Sequence, residues 1–237
     1  AEARGIKPFT GLGAAASAAL VALAVWRPDP SEWGLLALLV LLAVGLASLG
    51  ACIWLRWPGG EPLGATAVTL TGVAYTGATL AFVPILRWLP TELPGVDGGS
   101  RWLATSFVLL PVLTTWAGDS AAYFIGRRFG RTKLAPALSP GKTVAGAWGY
   151  VCGAVLIGLT GAVLLFNDFS WLEIIGLALV QAVLGQLGDL FESWIKRLAA
   201  VKDSGNLLPG HGGVLDRLDS LIFPAAFTTA YLRMFHS

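Results

Sequence analysis

The chain has 237 residues, of which 55% are hydrophobic and only 13% are charged, about half the charged fraction of an ordinary globular protein. The mean hydropathy is +0.71, and 16 basic against 14 acidic residues leave a formal charge of only +2. So few charges cannot cover the surface of a soluble domain of this size, and they provide no strongly basic face for nucleic acid. The composition therefore excludes a cytosolic enzyme and an ordinary nucleic-acid binder, and it indicates an integral membrane protein.

Seven apolar stretches are long enough, or nearly so, to cross a bilayer core of roughly 30 Å as helices. The first stretch is the shortest, and the third contains Pro84, where a kink is expected. The stretches cover residues 12–26, 33–55, 63–89, 102–126, 144–166, 171–191 and 214–235. The predicted fold class is therefore all-α, a polytopic membrane protein with about seven transmembrane helices.

Charges between the spans predict the orientation. Residues 127–142 contain five basic residues and no acid, and residues 192–211 add three basic residues. Two spans separate these segments, so they share a side, which the positive-inside rule makes cytoplasmic. Ala1 begins a mildly basic, loop-like segment, so one or two earlier spans are expected to precede it. Cys52 and Cys152 lie in apolar runs, which predicts buried small hydrophobes and no disulfide.

Ionisable residues in a span are costly unless they are paired, hydrated or bound to a cation, and here they form three clusters. In the first, Asp119 and Tyr123 are four residues apart and share a helix face, with Arg127 one turn further on. A hydrogen bond from Asp119 to a neighbouring helix is the alternative to a functional role.

The second cluster is a polar stripe on an otherwise apolar helix. Asp189, Glu192, Ser193 and Lys196 follow the i, i+3, i+4, i+7 spacing of one helical face. A salt-bridged helix end that emerges into water would explain Lys196, but it explains Asp189 poorly, because Asp189 lies deeper in the apolar run.

The third cluster lies at the start of the last span. Asp216 and Asp219 are three residues apart, so both carboxylates face one way. The preceding loop contains Gly210, Gly212 and Gly213, whose backbone amides can approach a ligand closely. Helix capping would explain one of the two acids. Basic residues between acid-bearing spans predict a polyphosphate held by Lys and Arg and a divalent cation, such as Mg²⁺, held by carboxylates.

The second and third clusters together resemble the signature of the phosphatidate cytidylyltransferases, also called CDP-diacylglycerol synthases. The matching residues are Ser193, Lys196, Arg197, Lys202, Asp203, Ser204, Pro209, His211, Gly212, Gly213, Asp216, Arg217 and Asp219. An earlier segment is also similar to the family, with Asp119, Tyr123, Gly126, Arg127, Gly130, Lys133, Pro136 and Ser139-Pro-Gly-Lys-Thr. The resemblance extends from about Trp116 to Ser220. One position departs from the pattern, because the family generally has a Glu-Gly pair where this chain has Ala145-Gly146.

The resemblance implies transfer of the cytidylyl group of CTP to phosphatidate, giving CDP-diacylglycerol and pyrophosphate, with Mg²⁺ and room for a second cation. It implies catalytic roles for Asp189, Asp216, Lys196 and Arg217, and metal binding by Asp189, Asp216, Asp219 and Asp119. The substrate-binding residues that it implies are Lys142, Ser193, Arg197, Lys202, His211, Gly212, Gly213 and Tyr123. Residues 1–110 would then be N-terminal transmembrane helices, and residues 111–237 a catalytic region with cytoplasmic loops 127–143 and 192–213.

Two other functions share parts of this pattern. A CTP-dependent polyprenol kinase-like membrane enzyme would use similar metal and nucleotide machinery on another lipid. A secondary transporter would also carry intramembrane acids, although its site is expected near the midplane and often between inverted repeats, and no repeat is visible here. The expected location is the cytoplasmic (inner) membrane, with CTP, phosphatidate and the bilayer as partners, no nucleic acid, and a homodimer as one compatible assembly.

Overall fold

The computed structural model describes residues 6–56, 61–89, 101–166, 169–201, 204, 213 and 215–236, apart from the side chains of residues 56, 101, 103 and 217. Its helices are α1 (Thr10–Trp26), α2 (Pro30–Arg56), α3 (Pro62–Gly72), α4 (Phe82–Trp88), α5 (Arg101–Phe129), α6 (Val144–Leu164), α7 (Trp171–Leu198) and α8 (Leu215–Phe235). A π-helical segment, Val73–Ala78, directly follows α3 and precedes α4. Strands β1 (Lys133–Ala135) and β2 (Ser139–Thr143) form an antiparallel hairpin between α5 and α6.

Each predicted span coincides with helix, and the all-α, polytopic class is confirmed. Five helical stretches within the described residues are long and apolar enough to cross a membrane: Pro30–Leu55, Pro62–Trp88, Ala104–Phe129, Val144–Leu164 and Trp171–Leu198. Helix α1 has only 17 residues. Helix α8 is not among the five, and acids in its first turns, together with Arg233 near its end, make it more polar than the others.

The third stretch is irregular where the sequence predicted a kink. The α-helical pattern stops at Ala81 and resumes at Phe82, three and two residues before Pro84. Proline has no N–H to donate and its ring crowds the carbonyl four residues earlier, which accounts for a break at this point. The π-helical segment lies further upstream, and the sequence analysis did not anticipate it.

Glycines bring α5 and α6 into close backbone contact. A Cβ added at Gly153 would lie 2.7 Å from the carbonyl oxygen of Ala117, and one at Gly149 would lie 3.0 Å from that of Ala121. Because this glycine face turns towards α5, Cys152 is exposed on the outer surface of α6, whereas Cys52 is buried. The prediction of two buried cysteines was therefore wrong for Cys152, although both thiols are free as expected.

A buried amide links the three helices that carry the acids. The Thr114 hydroxyl of α5 donates to Gln181 Oε1 of α7 (2.8 Å), and Gln181 Nε2 donates to the Thr228 hydroxyl of α8 (2.7 Å). Gln181 has no exposed surface. Buried polar groups that are fully paired fix one arrangement of neighbouring elements, so this bridge holds α5, α7 and α8 in register about two turns from the acidic residues.

Candidate active site

A cavity of about 590 Å³ lies between α5, the β-hairpin, α6 and α7. This volume falls in the range of small-molecule sites. Its lining includes both signs of charge: Asp119, Arg127, Lys133, Lys142 and Asp189.

Helix α5 supplies one wall of this cavity. Asp119 and Tyr123 both line it, as their i, i+4 spacing predicted, and Arg127 Nη1 donates to the Tyr123 hydroxyl (3.1 Å). The Ser220 side chain of α8 lies close to the Asp119 carboxylate, while its hydroxyl donates to Asp219 Oδ1 (3.1 Å). Asp119 therefore lines the cavity and also lies near a neighbouring helix, a position compatible with both alternatives.

The hairpin supplies a lysine to another part of the cavity wall. Lys142 of β2 forms an ion pair with Asp189 of α7, and both side chains are about three-quarters buried. At the end of β2, the Thr143 hydroxyl accepts a hydrogen bond from the Gly146 amide (3.1 Å) and caps α6. The cap fixes the point at which the strand ends, so it also fixes the position of Lys142.

A third carboxylate is brought near Asp189 by the close approach of α7 and α8. A Cβ at Gly188 would overlap the Asp219 carbonyl oxygen, and one at Gly185 would lie 3.3 Å from the Ser220 carbonyl oxygen. Asp219 is 8% exposed, and its Oδ1 accepts from the Ser220 amide (2.7 Å). Asp119, Asp189 and Asp219 lie near enough to one another to interact electrostatically.

A second network begins one turn along α7. Lys196 forms ion pairs with Glu192 and with Asp216, the latter at 2.8 Å. Asp216 Oδ2 also accepts from the amides of Ser204 (2.9 Å) and Gly213 (2.7 Å). Asp216 therefore ties the segment before α8 to the end of α7, and Lys196 is held between two carboxylates.

A smaller cavity of about 130 Å³ lies beside this network, between the hairpin and α7. Ser193, Lys196 and Arg197 line it together with Ser139. Arg197 Nε donates to the Leu138 carbonyl oxygen (3.4 Å), which joins α7 to the hairpin. The predicted substrate-binding residues are thus divided, with Tyr123 and Lys142 in the larger cavity and Ser193 and Arg197 in the smaller one.

Four predicted residues lie wholly or partly outside the described part of the chain. Lys202, His211 and Gly212 lie outside the described residues, and for Arg217 only the backbone is described. Gly213 is described and buried, and its amide contacts Asp216.

Two site residues were missed by the sequence analysis. Tyr150 of α6 lines the larger cavity, is 3% exposed, and is packed closely against Gly118 of α5. A single tyrosine in an apolar run gave no signal for this role. Glu192 was assigned only to a polar stripe, yet it is 1% exposed and its carboxylate lies against that of Asp216.

The larger cavity combines cationic side chains for a polyphosphate with carboxylates of the kind that bind hard cations. Among the described residues, no three His, Cys, Asp or Glu side chains form a ready-made metal cluster. Mg²⁺ commonly uses only one or two carboxylates and completes its shell with water and substrate phosphates, so the donor set fits that ion.

Comparison with known proteins identifies the family. The model of the cytidylyltransferase family matches residues 66–235. A phosphatidate cytidylyltransferase of Brucella suis is 40% identical over 188 residues, which are 78% of this chain and 63% of that protein. Proteins of the same name match over shorter stretches. That of Bacillus subtilis is 40% identical over 130 residues, which are 55% of this chain and 48% of that protein. That of Staphylococcus aureus strain COL is 44% identical over 120 residues, which are 49% of this chain and 45% of that protein. The chain thus spans less than two thirds of the length of these relatives. Because the family model matches most of the chain and includes every element of the larger cavity, the chain belongs to the cytidylyltransferase family.

Proposed function

We propose that this protein transfers the cytidylyl group of CTP to phosphatidate and so forms CDP-diacylglycerol and pyrophosphate. The observation that carries the proposal is the larger cavity, where Lys142 and Asp189 form an ion pair beside Arg127, Lys133 and Asp119. Its cations suit a triphosphate and its acids suit a divalent metal. Family membership and relatives named phosphatidate cytidylyltransferase support the same reaction.

In the proposed reaction, an anionic phosphate oxygen of phosphatidate attacks the α-phosphorus of CTP. A new P–O–P linkage forms to the lipid phosphate, and the bond from the α-phosphorus to the pyrophosphate oxygen breaks. The nucleophile is already ionised, so no strong general base is required. Catalysis depends on positioning and on charge neutralisation, which Arg127, Lys133 and Lys142 would provide.

We assign the metal to carboxylates that line the cavity, on α5 and α7, and to one that lies beside it, on α8. Asp189 and Asp219 are the central candidates, with Asp119 as their electrostatic neighbour. Asp216 would contribute from the adjoining network, where it also organises the segment before α8. When bound, Mg²⁺ would neutralise charge on the triphosphate and polarise the reacting phosphoryl group.

We place the site on the cytoplasmic side of the cytoplasmic (inner) membrane. Arg127 and Arg128 lie in the last turn of α5 and Arg131 follows that helix, and Lys196 and Arg197 lie in the last turn of α7. This distribution supports a cytoplasmic orientation of these helix ends. CTP is a cytosolic substrate, and phosphatidate would enter sideways from the adjacent leaflet.

Pyrophosphate release by the purified protein tests the proposal. We expect release that requires CTP, phosphatidate and Mg²⁺ together, and that is lost in Asp189→Asn although the variant elutes from size exclusion as the parent does. Release without phosphatidate, or full activity of Asp189→Asn, would contradict it.

A further inference from the structure

The N-terminal half of the chain contributes a buried phenol to the region of the acids. Tyr75 lies in the π-helical segment and is 7% exposed. Its hydroxyl has no hydrogen-bond partner within the part of the chain that the structure describes. Leaving a buried hydroxyl unpaired is unfavourable, and π-helical turns occur frequently at functional sites, so this residue calls for an explanation.

The ring of Tyr75 packs between the two helices that carry the acids. It makes edge contacts with Phe191 of α7, with centroids 5.2 Å apart, and with Phe223 of α8, at 6.3 Å. Phe191 lies between Asp189 and Glu192 in the sequence, and Phe223 follows Asp219 by one helical turn. The phenol accordingly lies within electrostatic reach of three carboxylates, those of Asp219, Glu192 and Asp189.

The outer side of the π-helical segment is fixed by α1. A Cβ at Gly77 would lie 2.5 Å from Ser17 Cα, so the two backbones are in direct contact. The Ser17 and Thr76 hydroxyls are hydrogen bonded at 3.0 Å, and Thr76 also donates to the Gly72 carbonyl oxygen (2.7 Å). Because α1 packs against the outer side of the segment, the phenol is held between α7 and α8.

We propose that Tyr75 is a positioning residue of the active site, whose hydroxyl is unpaired among the described residues of this structure and would donate to Asp219 when a divalent cation binds, orienting that carboxylate for the cation. Asp219 Oδ1 already accepts hydrogen bonds from the amide and hydroxyl of Ser220, so a donor from Tyr75 would add a third hydrogen bond to this carboxylate. Groups that orient metal-binding carboxylates typically change metal affinity or activity by 10–100-fold when they are removed. The inference rests on the proposed function, and it makes the α1–π-helical unit part of the site.

The test compares Tyr75→Phe with Tyr231→Phe. The first change keeps the ring and removes the hydroxyl. The second removes a hydroxyl that donates to Glu173 (2.5 Å) at the other end of α8, about 18 Å along the helix from Asp219. Binding of Mn²⁺, followed by its electron paramagnetic resonance signal, reports on the cation without requiring turnover. Values of kcat and KM for CTP and thermal unfolding without metal complete the measurements.

For Tyr75→Phe we expect Mn²⁺ affinity and kcat to fall about 10–100-fold, with a smaller change in KM. Without metal its unfolding temperature should be equal to or above that of the parent, because a buried unpaired hydroxyl has been removed. Tyr231→Phe should bind Mn²⁺ as the parent does.

Three results would show whether the inference about Tyr75 or the proposed function is wrong. Parental Mn²⁺ affinity and kcat in Tyr75→Phe would overturn the inference and leave the proposed function standing. A lower unfolding temperature with unchanged Mn²⁺ affinity would also overturn it, because Tyr75 would then be purely structural. If the parent forms no CDP-lipid but Tyr75→Phe still weakens Mn²⁺ binding, the positioning role holds and the proposed function fails.

Discussion

Lys142 is the residue at which the cationic and anionic sides of the larger cavity meet. Its ammonium group neutralises Asp189, and both residues line the space that we assign to the triphosphate and its metal. An incoming phosphate would compete with Asp189 for this lysine and would leave the carboxylate available to a cation. The ion pair therefore keeps both groups balanced in charge before substrates bind.

Lys142→Met should leave Asp189 without its cationic partner. We expect turnover to fall about 100-fold or more, the usual effect of losing one preorganised electrostatic group. Arg128→Met is the matched control, because Arg128 stacks on Phe129, with its guanidinium carbon 5.6 Å from the ring centroid, and does not line the cavity. Pyrophosphate release by the two purified variants provides the comparison. Equal losses in both would indicate a general effect of basic charge near the membrane.

Ala145 is the second residue of α6, half-buried beside Gly146 and Ala147, which line the cavity. The first turn of α6 contains no acid, and a carboxylate near a helix N-terminus typically stabilises by about 0.3–1 kcal/mol. Ala145→Glu, which restores the pattern of the family resemblance, should therefore raise the unfolding temperature slightly and increase pyrophosphate release. A decrease in release would show that the cavity of this chain is adapted to alanine.

At the scale of elements, the separation of α7 and α8 determines the distance between Asp189 and Asp219. Their backbones touch at Gly188, where any Cβ would overlap the Asp219 carbonyl oxygen. Backbone cannot move aside as a flexible side chain can, so even one added methyl group must displace α8. The glycine is thus a determinant of the site, although it has no functional group.

Gly188→Ala should destabilise the protein by about 1–3 kcal/mol, as overpacking typically does, and should lower turnover by separating the carboxylates. Gly176→Ala on the same helix is the control, because nothing lies within 4 Å of its added Cβ and alanine favours helix. Thermal unfolding and pyrophosphate release are measured for both. A Gly188→Ala protein as stable and active as Gly176→Ala would contradict the close approach.

The elements show how far sequence reasoning extends. Hydropathy and the i, i+4 spacing predicted the helices and placed Asp119 with Tyr123 correctly, because both depend on local periodicity. Hairpin β1–β2 was missed, since strands of three and five residues are too short to show alternation. The packing of Tyr75 against α7 and α8 could not be predicted either, because it joins residues more than 100 positions apart.

At the scale of the whole molecule, the charged residues of the two cavities lie at one end of the helices. Asp189 lies seven residues before Lys196 on α7, and Asp219 lies in the second turn of α8, at the corresponding end of the bundle. A transporter would instead be expected to hold its acids near the midplane between repeats. The asymmetry favours an enzyme that takes a soluble substrate from one side.

Cysteine labelling tests this orientation. In a chain with Cys52 and Cys152 replaced by Ala, Arg131→Cys after α5 should react with a membrane-impermeant maleimide only from the cytoplasmic face. Ser31→Cys at the start of α2 should react only from the opposite face. Both positions are exposed in the structure. Labelling of both from the same side would overturn the predicted topology.

The central claim is that the larger cavity directs attack on the α-phosphorus of CTP. Parallel reactions with phosphatidate and CTP labelled with ³²P at either the α or the γ position, followed by lipid extraction, test it most directly. We predict that the lipid product carries the α label and that the γ label remains in water-soluble pyrophosphate. Transfer of the γ label to lipid, with phosphatidate or with a polyprenol as acceptor, would show a kinase and contradict the account.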